Sequence, residues 1–321
     1  MNLKHKIGLL IRPHQKLWDI AKKAERIIFR WNERQQDKSF GSLNPDIKFS
    51  VFRPEHTHGL LSIYFAGLTY FCRASHEGFI PIADGENYRT QYSIDSPVNG
   101  TRNAWEYYFE QPCTTHTLEE VYQSQNVRLG GWTLSPTLQT IRVTEEMIYD
   151  MMLKAHVKKY IYDIANEKII SDGINEMIGV FVRGTDYINL RPKYHQIPPT
   201  QEQASAKLDE FLSRYGERKI FLATEDENIY NFFINKYGDL IYTTDKNLIK
   251  NYSGRDYIGY EIDSANKYKF GLDYLVKMIC LSECKCLIAS LTAGSRFARL
   301  LNHGRYTKNI YLIWDTINFS K

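Results

Sequence analysis

Four short apolar runs in the second half of the chain, residues 177–182, 220–223, 240–242 and 286–289, each lead into a helical segment, and a late apolar run follows at 310–313. Runs this short and continuously apolar suit strands buried on both faces, as in a parallel sheet covered by helices. Repeated strand-helix alternation then predicts a parallel, doubly wound α/β sheet. Such sheets bind ligands outside the carboxyl ends of their strands, so the residues that follow each run are the ones to search for chemistry.

The first half carries one unit of the same kind. Residues 47–52 read as a buried strand, 53–59 as a loop, and 60–75 as a helix that is hydrophobic nearly all round and so sandwiched inside its domain. Gly78 ends that helix, and a strand at 79–83 runs into Asp84-Gly85-Glu86. The loop His56-Thr57-His58-Gly59 and the loop at Asp84 are expected at one carboxyl edge. A long helical pattern over 144–173 marks the domain junction, which divides the 321 residues into an N-terminal domain, 1–160, and a C-terminal domain, 161–321. Thr200 to Gln203 and Thr224 to Glu227 both fit capping boxes.

Charge narrows the function classes. The 41 basic and 37 acidic residues are interspersed, which excludes an electrostatic footprint for nucleic acid. A basic amphipathic run at 18–31 fits a surface helix packed by one face, and the same pattern could graze an anionic membrane in peripheral association. Five cysteines, an odd number without a scaffold pattern, read as reduced thiols; Cys280, Cys284 and Cys286 lack a second Cys/His cluster and fit core packing better than a metal site. No signal peptide or membrane span is legible, so the expected location is cytoplasmic, at most at the inner face of the membrane, with the sequons at Asn99 and Asn251 unused. The 23 tyrosines suit surfaces that stack on sugars and bases, or else reflect composition alone.

The strongest chemical signal is Val182-Arg183-Gly184-Thr185-Asp186-Tyr187, directly after a strand. An arginine there reads in two ways: its planar fork holds a diphosphate with Asp186 orienting it, or Arg183 and Asp186 form an ion pair that closes the loop. The chain contains no Asp-x-Asp tripeptide for a divalent ion, and no Gly-x-Ser-x-Gly, Gly-x-x-x-x-Gly-Lys or His-Glu-x-x-His motif.

The Arg183 segment resembles the first conserved motif of the fucosyltransferase superfamily, His-x-Arg-x-x-Asp. Phe221-Leu222-Ala223-Thr224-Glu225-Asp226 resembles the second, an apolar strand ending in Ala-Thr-Asp-Asp. The passage Leu281 to Thr292 resembles the third, a helix-to-strand transition ending in a Ser/Thr-rich loop. In the first half the similarity is looser, through Gly59-Leu60-Leu61-Ser62, Pro81-Ile82-Ala83-Asp84 and Asn103-Ala104-Trp105-Glu106-Tyr107, the last similar to bacterial polysaccharide-assembly transferases.

The resemblance implies a GT-B fold, two Rossmann-like doubly wound domains facing a central cleft, and a glycosyltransferase that moves fucose from GDP-fucose, inverting and without metal, onto a glycan or lipid-linked glycan acceptor in surface polysaccharide synthesis. It places Arg183, Ser290 and Thr292 on the phosphates and Asp273 on the guanine, with Thr224, Asp226, His195 and Gly59 completing the donor site. Asp84, Glu86, Glu106, Asp186 and His195 are the candidates for taking the acceptor proton. Phe181 stands in place of the motif's histidine, Gly184 of a second arginine, Tyr187 of a lysine and Arg191 of a glutamate base, so another GDP-sugar, a mannose or heptose derivative, or a non-catalytic sugar- or nucleotide-binding module, stays open.

Overall fold

A computed structural model describes residues 20, 36–54, 58–131, 141–184, 199–244, 246, 249–250, 266–306 and 310–313. Two compact units emerge, each drawn from several segments: one within Met1–Glu55, Ala66–Asp84 and Gln111–Lys154, the other within His56–Phe65, Gly85–Glu110 and Ala155–Lys321. The step at Lys154/Ala155 lies close to the division expected near residue 160; segments 56–65 and 85–110 are what a single cut assigns to the other side.

The first unit holds a four-stranded sheet in the order β1-β4-β2-β3, from β1 (Gln36–Lys38), β2 (Leu43–Arg53), β3 (Ile80–Ala83) and β4 (Ser124–Gly131). β2 runs parallel to β3 and β4, and β1 is an antiparallel edge. Phe49, Val51, Ile82, Val127 and Leu129 alternate with residues of the other face to form one core with Val121, from the short helix α2 (Leu118–Val121). The expected β-α-β unit is present. Helix α1 (Leu60–His76) joins β2 to β3, and its residues from Ala66 onward belong to this unit, where the Tyr70 hydroxyl meets Ser50 Oγ at 2.6 Å.

The second unit is a five-stranded, wholly parallel sheet in the order β7-β6-β5-β8-β9, with β5 (Ile178–Phe181), β6 (Ile220–Ala223), β7 (Ile241–Tyr242), β8 (Cys286–Ser290) and β9 (Ile310–Ile313). Every residue of β5, β6 and β8 is buried, as their continuous apolar sequences require. Helices α5 (Gln201–Tyr215), α6 (Glu227–Tyr237), α7 (Lys267–Glu283) and α8 (Ala293–Asn302) follow β5 to β8 in turn. Strand order steps outward from β5 through β6 to β7 and then returns to β8 on its other side, so the switch point lies between the carboxyl ends of β5 and β8.

The single helix expected over 144–173 is two, α3 (Glu145–Lys154) and α4 (Lys159–Asp172). No proline or glycine breaks it. Val157 instead bridges to Phe109, Glu110 N donates to His156 O at 2.8 Å, and Lys158 N donates to Tyr108 O at 2.8 Å, so tertiary pairing replaces helical bonds there. The same neighbourhood explains why segments 56–65 and 85–110 belong to the second unit: Tyr64 stacks on Phe109 with centroids 4.1 Å apart, meets Phe297 edge-on at 5.9 Å, and donates to Ala155 O at 2.9 Å. Many tyrosines are therefore core residues whose hydroxyls satisfy carbonyls, Tyr306 on Leu281 O being another case.

Cys280, Cys284 and Cys286 are buried free thiols in the α7–β8 passage. Burial pushes Cys280 up to about 12 and Cys286 up to about 11, which disfavours the thiolate that binds metal. Among the described residues no helix is long and apolar enough to cross a membrane. The basic run at 18–31 lies outside them apart from Ile20.

Candidate functional site

Three strand ends make the carboxyl edge of the second sheet. β5 delivers Val182, whose N–H still bonds Ala223 O at 3.2 Å, and then Arg183 and Gly184. The Arg183 side chain is 26% exposed and its Nε lies 3.9 Å from Glu225 Oε1, beyond hydrogen-bond length. Its charge is also felt by Tyr92, which burial pushes up to about 12 while Arg183 pulls the other way; the Tyr92 hydroxyl accepts the Leu60 N–H at the start of α1 at 2.8 Å. Arg183 thus follows the carboxyl end of β5, one side of the switch point, near Glu225 at the β6 end and Tyr92.

Gly184 is required by packing. A Cβ there would overlap that of Asp226 and lie 2.5 Å from Asp226 Oδ2, so the backbone at Gly184 packs against the β6 end only because position 184 has no side chain. Asp226 is itself buried and caps α6, accepting from Asn228 N at 2.8 Å and Ile229 N at 3.3 Å. Thr224 Oγ1 accepts from Asp226 N at 3.2 Å. The expected capping box at Thr224–Glu227 is therefore replaced by an Asp226 cap, because the helix starts at Glu227 rather than two residues earlier. The box at Thr200–Gln203 is present as expected.

β8 delivers Ser290 and Thr292. Thr292 caps α8 in a box with Ser295: Thr292 Oγ1 accepts from Ser295 N at 3.3 Å, and Thr292 N donates to Ser295 Oγ at 2.9 Å. Ser290 is 3% exposed, and its Oγ is buried with no hydrogen-bond partner among the described residues. Thr244 Oγ1, two residues past β7 on the same edge, shares that state. A buried hydroxyl left unbonded is costly, and native structures keep few of them. Beside Ser290, the α8 N-terminus offers the Ala293 and Gly294 amides, which have no intrahelical acceptor, and the positive end of the helix dipole. Phe181, Tyr274 and Met278 crowd this turn: a Cβ on Gly294 would meet the Tyr274 hydroxyl at 2.7 Å and the Phe181 ring at 2.8 Å.

α7 contributes Asp273 and a residue that the sequence reading passed over. Asp273 Oδ2 pairs with Lys269 Nζ at 2.5 Å, with the carboxyl side chain 10% exposed. One turn on, Lys277 is 5% exposed and donates to Thr224 O at 3.4 Å, placing a buried ammonium at the end of β6. Its signal was present as the one charge within Leu275-Val276-Lys277-Met278-Ile279.

The remaining candidates separate. Asp84 is fully buried in the first unit and accepts from the Tyr122 hydroxyl at 2.6 Å. Glu86 is exposed. Gly59 opens α1, its carbonyl accepting from Ile63 N at 3.0 Å. Glu106 accepts from Thr101 Oγ1 at 2.7 Å and lines a cavity to which none of the residues just described at the sheet edge contributes. Asp186, Tyr187, Arg191 and His195 lie outside the described residues.

No family model matches the chain, and no curated protein matches it in sequence. Solved structures do. The fucosyltransferase NodZ from Bradyrhizobium matches at a TM-score of 0.52 and 14% identity, over 79% of this chain and 93% of that one. NodZ α-1,6-fucosyltransferase soaked with GDP-fucose matches at 0.52 and 15%, over 79% and 92%. POFUT1 in complex with GDP matches at 0.51 and 7%, over 85% and 99%. At these identities the likeness is one of fold, and the chain has the GT-B-type α/β fold of the fucosyltransferases.

Proposed function

We propose that the chain is a glycosyltransferase that takes a sugar from a GDP-sugar, GDP-fucose in the first instance, and places it with inversion on a glycan or lipid-linked glycan acceptor in surface polysaccharide synthesis. The observation that carries the reading is the switch point, where Arg183, the unbonded Ser290 Oγ and the α8 N-terminus share one strand edge. Together they offer what a departing diphosphate needs: a fork of donors, a hydroxyl and a helix dipole. The solved structures determined with GDP or GDP-fucose share the fold, which supports the donor class.

In the proposed reaction the acceptor hydroxyl oxygen attacks the anomeric carbon from the face opposite the diphosphate. The bond from that carbon to the β-phosphate oxygen breaks with its electron pair leaving on GDP, and the acceptor proton passes to a nearby base, for which Asp186 and His195 follow Arg183 most closely in sequence. Arg183 stabilises the charge that grows on the diphosphate; Phe181 has no nitrogen to share that task. Metal-independent turnover follows from this donor set and from the lack of an Asp-x-Asp pair. A chelator is expected to leave the rate nearly unchanged, and a strict need for manganese or magnesium would refute that part. Asp273 is the proposed reader of guanine, accepting from N1 and N2 while Lys269 holds it on α7.

Calorimetry with GDP, UDP and ADP tests the donor base, and a panel of nucleotide sugars read by release of the nucleoside diphosphate tests the reaction. GDP binding most tightly, with GDP-fucose turned over, is expected. Equal binding of the three sinks the guanine assignment, and release of GDP only from a mannose or heptose donor replaces fucose by that sugar.

A further inference from the structure

Within the second unit, a cavity of about 650 Å³ opens between the turn at 98–101, α4 and α7. Its volume falls in the range of small-ligand pockets. The walls carry Thr101, Glu106, Lys158, Tyr160, Tyr268 and Leu272. At about 100° per residue along α7, Tyr268 and Leu272 lie roughly 100–180° round the helix from Asp273 and Lys277, so the cavity uses another face of α7 than the donor-side residues do.

The chemistry of these walls selects among ligands. Phosphates fit poorly, because Glu110, 2.6 Å from Lys158 Nζ, neutralises the one cation of the walls while leaving it N–H groups to donate, and the Glu106 carboxylate faces the same space. A metal ion would find one carboxylate. A wholly apolar guest would strand the Glu106 carboxylate and the tyrosine hydroxyls. What suits the set is a neutral molecule with alternating hydroxyls and apolar ring faces: Glu106 and the tyrosine hydroxyls accept, Lys158 and Asn99 donate, and Leu272 and Ile164 offer apolar contact.

The site is also held in shape. Asn99 and Gly100, at φ 49° and 85°, form a two-residue turn closed by Val98 N to Thr101 O at 2.8 Å and Thr101 N to Val98 O at 3.0 Å, so the Asn99-Gly100-Thr101 sequon has a structural use. Thr101 Oγ1 then orients Glu106 at 2.7 Å, with Asn103 Nδ2 at 3.4 Å on its other oxygen. The Tyr160 and Tyr268 hydroxyls are 3.0 Å apart, Tyr160 bonds Tyr107 O, and Tyr108 fixes the Tyr268 carbonyl at 3.0 Å. Burial pushes Tyr160 well above the usual phenol range and keeps its proton in place. Ordering little on binding favours weak, polar ligands.

We infer that this cavity is a saccharide subsite, binding a neutral sugar unit through Glu106, Lys158 and the Tyr160–Tyr268 pair, apart from the diphosphate site. Its occupant as a non-reacting residue of the acceptor glycan rests on the transferase reading; saccharide binding itself does not. The test is saturation-transfer NMR and titration of the full chain with neutral trisaccharides of glucose, galactose and N-acetylglucosamine, with GDP titrated in parallel. At least one trisaccharide binds, and both Glu106→Gln and the cavity-filling Leu272→Trp lower its affinity at least about tenfold while GDP affinity stays unchanged. If Leu272→Trp does not fold, Glu106→Gln decides alone. Binding of none of the three, or wild-type saccharide affinity in either folded variant, overturns the assignment. Saccharide binding without GDP binding keeps the subsite and removes the transferase reading instead.

Discussion

The carboxyl ends of β6 and β8 carry similar polar strings, Thr224-Glu225-Asp226 and Ser290-Leu291-Thr292, one sheet position apart on either side of β5. Their hydrogen bonds differ. At the β6 end, Thr224 receives Asp226 N, Asp226 caps α6, and Gly184 packs on the aspartate, so the side chains are consumed in holding backbone. At the β8 end Thr292 is consumed in the same way, while Ser290 keeps a buried hydroxyl with no bonding partner among the described residues. Residue type at a strand end does not tell a cap from a ligand; the accounting of donors and acceptors does.

The largest expected effect lies between the two ends. Arg183→Ala is expected to lower turnover by on the order of a hundredfold or more, the usual cost of losing one transition-state donor, and to lower stability far less, since the side chain is part-exposed. Lysine is expected to recover only part, as an ammonium cannot reproduce the fork. A folded Arg183→Ala protein with full turnover removes the switch point from the chemistry. Next comes the backbone at Gly184, beside Arg183. Gly184→Ala is expected to displace it, because the new Cβ overlaps Asp226, and to lower turnover by about tenfold or more, in keeping with the cost of small misplacements. Adding Asp226→Gly relieves the overlap, so turnover per folded molecule is expected to recover in the double variant. Purely additive losses would show that the contact does not position Arg183.

How far the sequence anticipated this contrast depends on the range of the interactions. The second sheet was legible because β5, β6 and β8 are buried on both faces and so written in consecutive apolar residues, and the Thr200–Gln203 box because it spans three residues. The break at 155–158 was not legible, since it depends on pairing with Phe109 and Glu110 nearly fifty positions earlier, and local helical periodicity runs straight through it. The same holds for segment 85–110, which joins the second unit through aromatic stacking on Tyr64 and Tyr268. In the candidate site, Arg183 and Ser290 stood out by position after a strand. Asp226, read as a donor-site residue, caps α6 in the structure; an N-cap and a phosphate ligand draw on the same side chains, so residue type alone does not separate them.

The β6 end is expected to respond in stability alone. Asp226→Ala removes a buried cap with two amides on it and is expected to cost about 1–2 kcal/mol in chemical denaturation, with GDP affinity per folded molecule unchanged. A loss of GDP affinity without loss of stability would move Asp226 into the donor site after all.

The smallest effect is the sharpest test of the comparison. Ser290→Ala deletes a buried hydroxyl that has no hydrogen-bond partner among the described residues, and so sheds an unsatisfied polar atom; its melting temperature is expected to hold or rise slightly. If that hydroxyl donates to a phosphate oxygen when GDP binds, the same change should weaken GDP by about fivefold to tenfold, the scale of one hydrogen bond. Thr224→Ala is the control on the other strand end, because its hydroxyl already accepts Asp226 N at 3.2 Å: it is expected to lower stability and leave GDP affinity alone. The two alanine variants should therefore respond in opposite columns, affinity for Ser290 and stability for Thr224, when thermal melts are run with and without GDP. A Ser290→Ala protein that melts earlier but binds GDP as before would mean that its hydroxyl serves the fold, and the β8 end would then be a cap like its neighbour.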